Sequence, residues 1–541
     1  MQKSKSFFYP SFNLPLVISF FGICLVLFKL LYKFENVWEF MSYDEAYHIH
    51  YTITGHLGSD GIFYRFYLTL LNQFITNPIN LYRTNFALVT IIFGISLFVF
   101  TYKVTKSAFL AFLFSYFFLI VNPTFSMSPS YITHFNASVM MLVFTFALGR
   151  KKDQMLIILL IGAVILTLIR PEYSLTLLLS IIVVSFYVLY QYLTFQHFKY
   201  PFIITLLIAS FLLIKYNPTD GHRSSIAFCQ HYAYGLFQFD LWKEDPWSYC
   251  ELAMSKDFGS AKTISEALIA NPSKFLGHVL RNIFILPKEL GSLLIPFFIG
   301  EPGNNTVPVQ VAAYSVILIV LFWFIGFFFS LYQGQRNLLQ KCFVLIYAMP
   351  VLVSTILIYP RPHYLLMVVP FLLIFGIQNL VEKFGLLRYK AKFSFPIKSI
   401  LVASILIYVT PWRLSGKSGL TIPEGQAGIH GKGLCTSVDN LNFLNHLNFE
   451  NKEMVLLSNL GFISTFLPKE MRVYHHFDKN SNFDEFILRN KINLVWINSA
   501  LLNDLNFRND NEFKKLVIGK SKGWKRMNIP NCPNDFLLFN F

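Results

Sequence analysis

Residues 155–190 read MLIILLIGAVILTLIRPEYSLTLLLSIIVVSFYVLY, and this stretch decides the fold. It carries no charge apart from Arg170 and Glu172 in the Arg-Pro-Glu break at its middle. A membrane-spanning helix needs about 20 apolar residues, so the stretch is long enough for two. A charge at the centre of a bilayer costs about 2.5–3.5 kcal/mol on insertion scales, so the break predicts a turn at the membrane surface. The pattern indicates a polytopic helical membrane protein.

The composition of the whole chain agrees with this interpretation. The 541 residues are 54% hydrophobic and 14% charged, with a mean hydropathy of +0.50. Soluble domains carry about 25% charged residues, so most of this chain must be solvated by lipid. The formal charge of +16 comes from Lys and Arg in short tracts between apolar runs, as the positive-inside rule expects. No basic stripe or recognition motif accompanies that charge, which argues against nucleic-acid binding.

Eleven apolar runs predict membrane spans, and the basic tracts between them predict an inside N-terminus and an outside C-terminus. Two further runs, 62–76 and 283–300, are interrupted by charges or prolines. Counting either one as a crossing would move later basic tracts outside, so both are predicted to be juxtamembrane helices in the interface. The eleven runs lie near 14–33, 84–102, 107–121, 131–148, 155–169, 172–193, 200–215, 309–332, 342–359, 363–381 and 397–412.

The predicted fold class is therefore mainly α, with two domains. Residues 1–412 form a transmembrane domain with outer loops at 34–83 and 216–308. Residues 413–541 have a soluble composition and form a small extracytoplasmic domain. Short strand-like runs at Met454–Leu457 and Ile492–Ile497, set between more polar stretches, favour an α/β fold for it.

The cysteines fit this layout. Cys229, Cys250, Cys435 and Cys532 all fall in segments predicted to lie outside. The pairs Cys229–Cys250 and Cys435–Cys532 are compatible with an oxidising compartment, but sequence cannot fix connectivity, and free thiols are the alternative. No cysteine spacing resembles a set of zinc ligands.

Two adjacent carboxylates, Asp44 and Glu45, follow the first span in the sequence WEFMSYDEAY (38–47). A carboxylate at the interface can accept a proton from an acceptor hydroxyl, and partly apolar surroundings raise its basicity. On its own, the local sequence favours an ordinary solvated acid pair. His48 and His50 come next, but this spacing is a weak signal for a metal, and solvated loop histidines are the simpler interpretation.

Three arginines are predicted at the same face of the membrane as the acid pair. Arg170 lies in the break described above, Arg361 begins a similar break, RPHY (361–364), and Arg83 lies at the outer mouth of the second span. Arg offers a bidentate fork for phosphate. Simple turns between spans, and snorkelling to headgroups for Arg83, are the alternatives. Acids and arginines at one face are the arrangement required for transfer from a lipid-phosphate donor.

With these motifs in place, the chain resembles the GT-C superfamily of polyprenyl-phosphate-sugar-dependent glycosyltransferases, in particular the branch of protein O-mannosyltransferases and aminoarabinose transferases. The resemblance covers nearly the whole chain through the order and common sidedness of short motifs. These are Asp44-Glu45-Ala46, Leu81-Tyr82-Arg83, Arg170-Pro171-Glu172, and Arg361-Pro362-His363-Tyr364-Leu365-Leu366 followed by Pro370. Many relatives have a His-Pro-Pro-Leu-Tyr-like segment after the acid pair, and here GSDGIFYR (58–65) takes that position.

The resemblance implies an inverting transfer of a hexosyl or pentosyl group from an undecaprenyl- or dolichyl-phosphate donor to an acceptor hydroxyl on a glycan, lipid or protein. Asp44 would be the catalytic base, and Glu45 would bind the acceptor or orient the site. Such transfer is metal-independent or metal-assisted, so a divalent cation is the one candidate cofactor, and no metal ligands are predicted. The candidate phosphate-binding residues are Arg83, Arg170 and Arg361, and the candidate pocket residues are Glu172, His363, Tyr364, Arg65 and Asp60.

The outer face could belong to a periplasm, a cell exterior or an ER lumen, and the lack of a C-terminal retention tetrapeptide favours a bacterial inner membrane. Two other classes of function are compatible with a polytopic chain. A transporter or lipid flippase usually has charges near the bilayer midplane and repeated halves, and the sequence shows neither. A sensor or scaffold without chemistry predicts that Asp44, Arg170 and Arg361 tolerate neutral substitution together.

Overall fold

The computed structural model describes most of the chain and is mainly helical. Its helices α1–α9 are Leu14–Leu31, Asp44–Thr54, Ile62–Asn72, Pro78–Thr105, Ala108–Ile120, Tyr131–Ala147, Lys152–Ile169, Ser174–Phe195 and Tyr200–Lys215. Helices α10–α17 are His222–Gln238, Cys250–Phe258, Ile264–Ala270, Pro272–Leu294, Leu338–Leu357, Pro362–Leu365, Val369–Lys383 and Ser394–Val409. The described residues are 14–32, 44–55, 61–120, 131–195, 200–215, 222–247, 249–294, 338–383, 394–410, 437–447, 453–458, 462–474, 482–502, 504, 507–530 and 532–540.

Within the described residues, five helices are long and apolar enough to cross a membrane. They are Leu14–Leu31, Pro78–Thr105, Lys152–Ile169, Pro171–Thr194 and Leu339–Leu357. Four shorter apolar helices accompany them: Ala108–Ile120, Ile132–Ala147, Phe202–Leu212 and Ile400–Val409. The chain is thus a helical protein with several helices suited to lipid, while the count of eleven spans stays a prediction. The predicted span at 309–332 lies outside the described residues.

Local sequence explains where the apolar helices begin and end. The side chain of Asn77 accepts a hydrogen bond from the backbone N–H of Asn80 and caps α4, with Pro78 in the first turn, where a missing N–H costs nothing. Helix α7 ends at Ile169 because Arg170, which precedes a proline, adopts an extended conformation (φ −141°). Pro171–Tyr173 then form one 3₁₀ turn before α8, so the predicted turn at this break is confirmed.

Three of the apolar helices end side by side. The ammonium group of Lys29, in the last turn of α1, donates hydrogen bonds to the carbonyl oxygens of Ile407 (2.7 Å) and Tyr408 (3.1 Å), near the end of α17. The hydroxyl of Tyr116, near the end of α5, donates to the carbonyl oxygen of Leu406. Helices α1, α5 and α17 therefore run in the same direction, as expected for the first, third and last of the predicted spans.

The described residues between 222 and 294 form four helices, α10–α13, around a small hydrophobic core of their own. The predicted pair Cys229–Cys250 is confirmed as a disulfide, which joins α10 to the start of α11. The ambiguous apolar run at 283–300 begins inside α13, which continues through Pro287 as far as Leu294.

The C-terminal segment, residues 437–540, contains a five-stranded sheet with the strand order β2-β1-β3-β5-β4. Strands β1, β2 and β3 are parallel, whereas β5 is antiparallel to both β3 and β4. The predicted strands at 454–457 and 492–497 are confirmed as β1 and β3. Strands β1–β5 are Met454–Leu457, Met471–Tyr474, Leu494–Ile497, Lys525–Ile529 and Cys532–Phe539, and the helices α18–α21 are Ser437–Asn445, Phe483–Arg489, Ser499–Leu502 and Asn511–Val517.

The two faces of this sheet belong to different hydrophobic cores, because successive side chains along a strand point to opposite faces. One face is continuous with the core of the helical bundle and includes Leu456, Leu494, Trp496 and Leu537. The other face packs against α19–α21 and includes Val455, Leu457, Val495, Ile497, Phe536 and Leu538. Cys532 is disulfide-bonded, and its predicted partner, Cys435, lies outside the described residues.

Candidate functional site

The acid pair opens helix α2, which begins at Asp44. Only the backbone of Asp44 is described, whereas the side chain of Glu45 is 2% exposed and held by two hydrogen bonds. Its Oε2 accepts from the hydroxyl of Tyr64 (2.8 Å), and its Oε1 accepts from the backbone N–H of Ile132 (3.0 Å). The Tyr64 hydroxyl in turn accepts from Nδ2 of Asn85 (2.7 Å). We call these four residues, Glu45, Tyr64, Asn85 and Ile132, the acid centre; they tie α2 to α3, α4 and α6.

Arg65 lies beside the acid centre and is buried. Its guanidinium carbon is 5.5 Å from the ring centroid of Tyr47 and 5.2 Å from that of Tyr51, so the cation rests against two aromatic rings of α2. One guanidinium N–H also reaches the hydroxyl of Tyr47 (3.4 Å). The predicted pocket residue Arg65 thus fixes α3 against the helix that begins at Asp44.

A second group of polar residues is formed by the two arginine breaks. Arg170 is buried, and its Nη2 is 2.6 Å from Oε1 of Glu172. The guanidinium carbon of Arg170 is 5.0 Å from the ring centroid of Tyr364, whose ring lies 4.3 Å from that of His363. We call Arg170, Arg361, His363 and Tyr364 the arginine centre.

His363 is a buried titratable group of the arginine centre. It is 7% exposed, and its Nε2 is buried without a hydrogen-bond partner among the described residues. Burial, and next the positive charges of Arg361 and Arg170, hold the pKa of His363 well below its ordinary value. The imidazole is therefore neutral at pH 7, and an unsatisfied polar atom of this kind costs about 1–3 kcal/mol unless a ligand meets it.

The backbone just before Arg361 is fixed by side chains of α13. The last carbonyl groups of a helix lack hydrogen-bond partners within the helix. At the end of α14, side chains of α13 supply these partners. Nδ2 of Asn282 donates to the carbonyl oxygens of Ile356 (2.8 Å) and Ile358 (3.1 Å). Nε2 of His278 lies 3.2 Å and 3.1 Å from the carbonyl oxygens of Leu357 and Ile358. The end of α14, and with it the position of Arg361, is thus set by the segment 272–294.

Aromatic rings and one acid surround the guanidinium of Arg361. Its central carbon is 4.9 Å from the ring centroid of Trp247, and that ring stacks on Tyr234 at 5.4 Å. The ring of Tyr359 lies 5.2 Å from Tyr234. Burial raises the pKa of Glu289 to about 7, although the positive charges of Lys288 and Arg361 act to lower it. This carboxyl therefore changes charge near neutral pH while facing Arg361.

The first two turns of α6 lie between the two centres. The backbone N–H of Ile132 belongs to the acid centre, whereas His134 is close enough to His363 to help depress the pKa of that imidazole. Nδ2 of Asn136 is 3.4 Å from the sulfur of Met367, one turn after His363. The acid centre and the arginine centre therefore lie at the same end of the bundle.

Gly61, just before α3, is packed closely between α2, α6 and the end of α7. Its φ is +68°, in the left-handed region that favours glycine. A Cβ added there would lie 3.2 Å from Cε1 of His48 and from Cδ1 of Ile132, and 3.5 Å from the carbonyl oxygen of Ile169, the residue before Arg170. The chain at Gly61 thus fills the space between the acid centre and the end of α7.

The structure brings together most of the predicted site residues that it describes. Arg170, Glu172, Arg361, His363 and Tyr364 form one group, and Glu45 with Arg65 forms its neighbour. Arg83 is half-buried near the start of α4, two residues before Asn85, a spacing that does not put the two side chains on one face of the helix. Asp60 lies outside the described residues.

The interpretation of the sequence missed several residues in or next to the two centres: Tyr64, Asn85, His134, Trp247 and Glu289. Asn85 and His134 do carry a usable signal, because a polar residue inside an apolar run is costly unless it has a partner or a function. Tyr64 and Trp247 carry none, because aromatic residues are common throughout this chain, which has 18% of them.

Among the described residues, no group of three or more His, Cys, Asp or Glu side chains is arranged to hold a metal ion. No protein-family model matches the chain, and no curated protein matches it either. The argument for a function therefore depends on the geometry of the two centres.

Proposed function

We propose that this protein is a membrane glycosyltransferase that moves a sugar from a polyprenyl-phosphate donor to an acceptor hydroxyl. The observation that carries the proposal is the buried, unsatisfied Nε2 of His363, beside Arg170 and Arg361 and at the same end of the bundle as the helix that begins at Asp44. Arginine side chains and a hydrogen-bond donor without a partner can bind an anion such as a phosphate. A nearby carboxylate can act as the general base that deprotonates a hydroxyl. The proposal includes eleven spans and a C-terminal extracytoplasmic α/β domain.

On the donor side, the phosphate of an undecaprenyl- or dolichyl-phosphate sugar binds against Arg170 and Arg361, and Nε2–H of His363 donates to one of its oxygens. The arginines are held by Tyr364 and Trp247, whose rings lie 5.0 Å and 4.9 Å from the respective guanidinium carbons. When the bond between the anomeric carbon and the phosphate oxygen breaks, the electron pair stays on that oxygen. Fixed cations stabilise the developing charge without reorganising, which makes this the larger part of the catalysis.

On the acceptor side, Asp44 takes the proton from the acceptor hydroxyl as its oxygen attacks the anomeric carbon, opposite the departing phosphate. The configuration at that carbon inverts. Glu45 orients the site, because both of its oxygens are occupied by Tyr64 and Ile132 and its side chain is buried. Asp44 and Glu45 lie in the first turn of α2, where the helix dipole favours the ionised carboxylate that a base requires.

The extracytoplasmic location is supported by the disulfide between Cys229 and Cys250. Disulfides persist in oxidising compartments, and this one lies in the segment 216–308, which the basic tracts predict to be outside. Trp247 of the same segment contacts Arg361, so the arginine centre is at that face. A bacterial inner membrane, with the site towards the periplasm, is the setting that we propose.

The most informative test is mass spectrometry of lipid-linked sugars and of glycoconjugates from cells in which the gene is deleted. Loss of a transferase leaves its donor unused and its acceptor undecorated, so a lipid-linked sugar should accumulate while one glycoconjugate lacks the same residue. This outcome would also name both substrates. Unchanged donor and acceptor profiles would contradict the proposal, and transport of an intact substrate by purified protein in proteoliposomes would replace it with a transporter.

The catalytic assignment is tested by Asp44→Asn in the same cells. Loss of a general base lowers the rate about 100- to 10,000-fold, so the variant should fail to restore the glycoconjugate while accumulating in the membrane at the wild-type level. Glu251→Gln is the matched control, because Glu251 is an exposed acid in the same outer part of the chain. Restoration by Asp44→Asn would remove Asp44 from the mechanism.

A further inference from the structure

Among the described residues, a short stretch of the C-terminal segment reaches the helix that begins at Asp44. This stretch is the β1–β2 connection, residues 462–470, which includes a 3₁₀ turn at Ile463–Phe466. The ring of Phe462 lies 5.3 Å from the ring of Tyr47 and 5.7 Å from that of His50. Oγ1 of Thr465 lies 2.8 Å from Nδ1 of His50. Tyr47 and His50 are one and two turns into α2, so the connection holds the helix close to its first turn.

The backbone at Phe462 indicates that this contact is built rather than incidental. Its φ of +58° lies in the left-handed region, which a residue with a Cβ adopts only at a cost in free energy. Such a conformation persists where the surrounding structure holds it. The next residues do so, because Ile463 and Phe466 are buried in the core that the sheet shares with the bundle. Phe466 also meets the ring of Tyr82 on α4 edge-on at 6.0 Å.

The connection also lies at the edge of the sheet where open α/β sheets bind ligands. Strand β1 has parallel neighbours on both sides, β2 and β3, and the chain leaves it at its carboxyl end towards Phe462. In open parallel sheets, ligands bind outside the carboxyl ends of the strands, where the strand order reverses. That edge of the sheet is therefore turned towards α2.

We propose that Phe462 and Thr465 are positioning residues for the transfer reaction. They act through Tyr47 and His50 to fix the first turns of α2, and hence the placement of Asp44 relative to the donor. This inference rests on the proposed function. Because a displaced base slows the chemical step and leaves phosphate binding unchanged, loss of the contact should lower kcat and leave the KM for the donor as it was.

The kinetic test compares Phe462→Ala and Thr465→Ala, singly and together, with Phe513→Ala. Phe513 is a buried aromatic residue on the face of the sheet that packs against α19–α21, so its loss disturbs the segment without touching α2. The double variant should lower kcat about tenfold per folded molecule with the donor KM within twofold, and Phe462→Tyr should restore it. Phe513→Ala should lower the yield of folded protein and leave kcat per folded molecule unchanged. An unchanged kcat in the double variant overturns the proposal.

A cross-link separates the contact from the chemistry. His50→Cys combined with Thr465→Cys should form a disulfide in the membrane-embedded protein, detected by non-reducing electrophoresis after proteolysis between the two segments. His50→Cys with Lys514→Cys is the control pair, because Lys514 is exposed on α21. Absence of the cross-link overturns the proposal even where transfer is established. A cross-link in a protein for which no polyprenyl-phosphate sugar acts as donor would instead refute the proposed function and leave the docking of the segment in place.

Discussion

Glu45 and His363 are both buried polar side chains at one end of the bundle, and they differ in what satisfies them. Both oxygens of Glu45 accept hydrogen bonds from the protein, one from the Tyr64 hydroxyl and one from the Ile132 backbone. Nε2 of His363 has no partner among the described residues, and its nearest charges are arginines. In the acid centre the protein satisfies both carboxylate oxygens of Glu45, whereas in the arginine centre Nε2 of His363 has no partner among the described residues.

Because of this difference, substitutions in the acid centre and in the arginine centre should affect different quantities. A group whose partners are all protein groups contributes to the folded state, and its removal should be felt in the free energy of unfolding. A group left unsatisfied in the folded state contributes when a ligand arrives, and its removal should be felt in kinetics. The two centres therefore predict opposite responses to substitution.

The largest expected effect is at Arg361. In the proposed reaction Arg361 stabilises the departing phosphate, so Arg361→Ala should lower kcat/KM for transfer about 100- to 1,000-fold. The thermal unfolding midpoint in detergent should change little, because the described contact of the guanidinium is with the half-exposed ring of Trp247. Arg361→Lys keeps the charge but loses the planar fork, and it should recover part of the rate. Wild-type transfer by Arg361→Ala would show that the arginine centre does not bind the donor.

The acid centre should give the opposite result. Glu45→Ala leaves the Tyr64 hydroxyl and the Ile132 N–H buried without an acceptor, which should lower the free energy of unfolding by about 2–4 kcal/mol. Glu45→Gln retains an oxygen acceptor and should cost less. Glu251→Ala is the control, since Glu251 is an exposed acid and its loss should leave the free energy of unfolding nearly unchanged. Equal midpoints for Glu45→Ala and the wild type in thermal unfolding would remove the distinction between the centres.

A smaller effect is expected at His363. In the proposed reaction His363 donates one hydrogen bond to the phosphate, so His363→Ala should raise the KM for the donor about tenfold. His363→Gln offers an amide donor in nearly the same place and should recover most of the affinity. The measurement is the initial rate of transfer against donor concentration at pH 7. A donor KM that does not respond to either variant would mean that Nε2 does not face the phosphate.

The smallest expected effect concerns pH. Glu289 is neutral below its pKa of about 7 and ionised above it. If the donor phosphate binds at Arg361 as proposed, only the ionised form of Glu289 competes with it. Lys288, Tyr234 and Tyr359 are the other titratable groups near this carboxyl. The donor KM should therefore rise about two- to fivefold as the pH increases from 6 to 8, the size of a partly screened ion pair. Glu289→Gln should give a flat profile over this range, and a KM that falls with pH would contradict the assignment.

Much of the fold could be predicted because its signals are local. The break at Arg170 follows from two charges and a proline between apolar runs, and the strands at β1 and β3 follow from short apolar runs in a polar segment. The disulfide between Cys229 and Cys250 is one of the two pairs that the sequence analysis named as compatible with the sidedness. Each of these depends on neighbouring residues or on the order of segments, and a single sequence contains that information.

The chemistry of the site could be predicted only in part, because its contacts join distant elements. Nothing near Glu45 in the sequence indicates that Tyr64 and the backbone of Ile132 will saturate its oxygens. The contact of Phe462 with α2 links residues more than 400 positions apart. Such contacts depend on how the helices pack against each other. The hydrophobic periodicity of one segment does not indicate which other segment it will contact.

The hydrogen bonds from Lys29 to Ile407 and Tyr408 have a consequence for biosynthesis. Lys29 enters the membrane with the first helix, whereas these carbonyl groups emerge from the ribosome more than 370 residues later. At about 5–20 residues per second, the ammonium group waits on the order of 20 seconds or more for them. A chain that stalls before α17 would therefore carry an ammonium group that lacks these two acceptors, a feature by which membrane quality control could recognise incomplete copies.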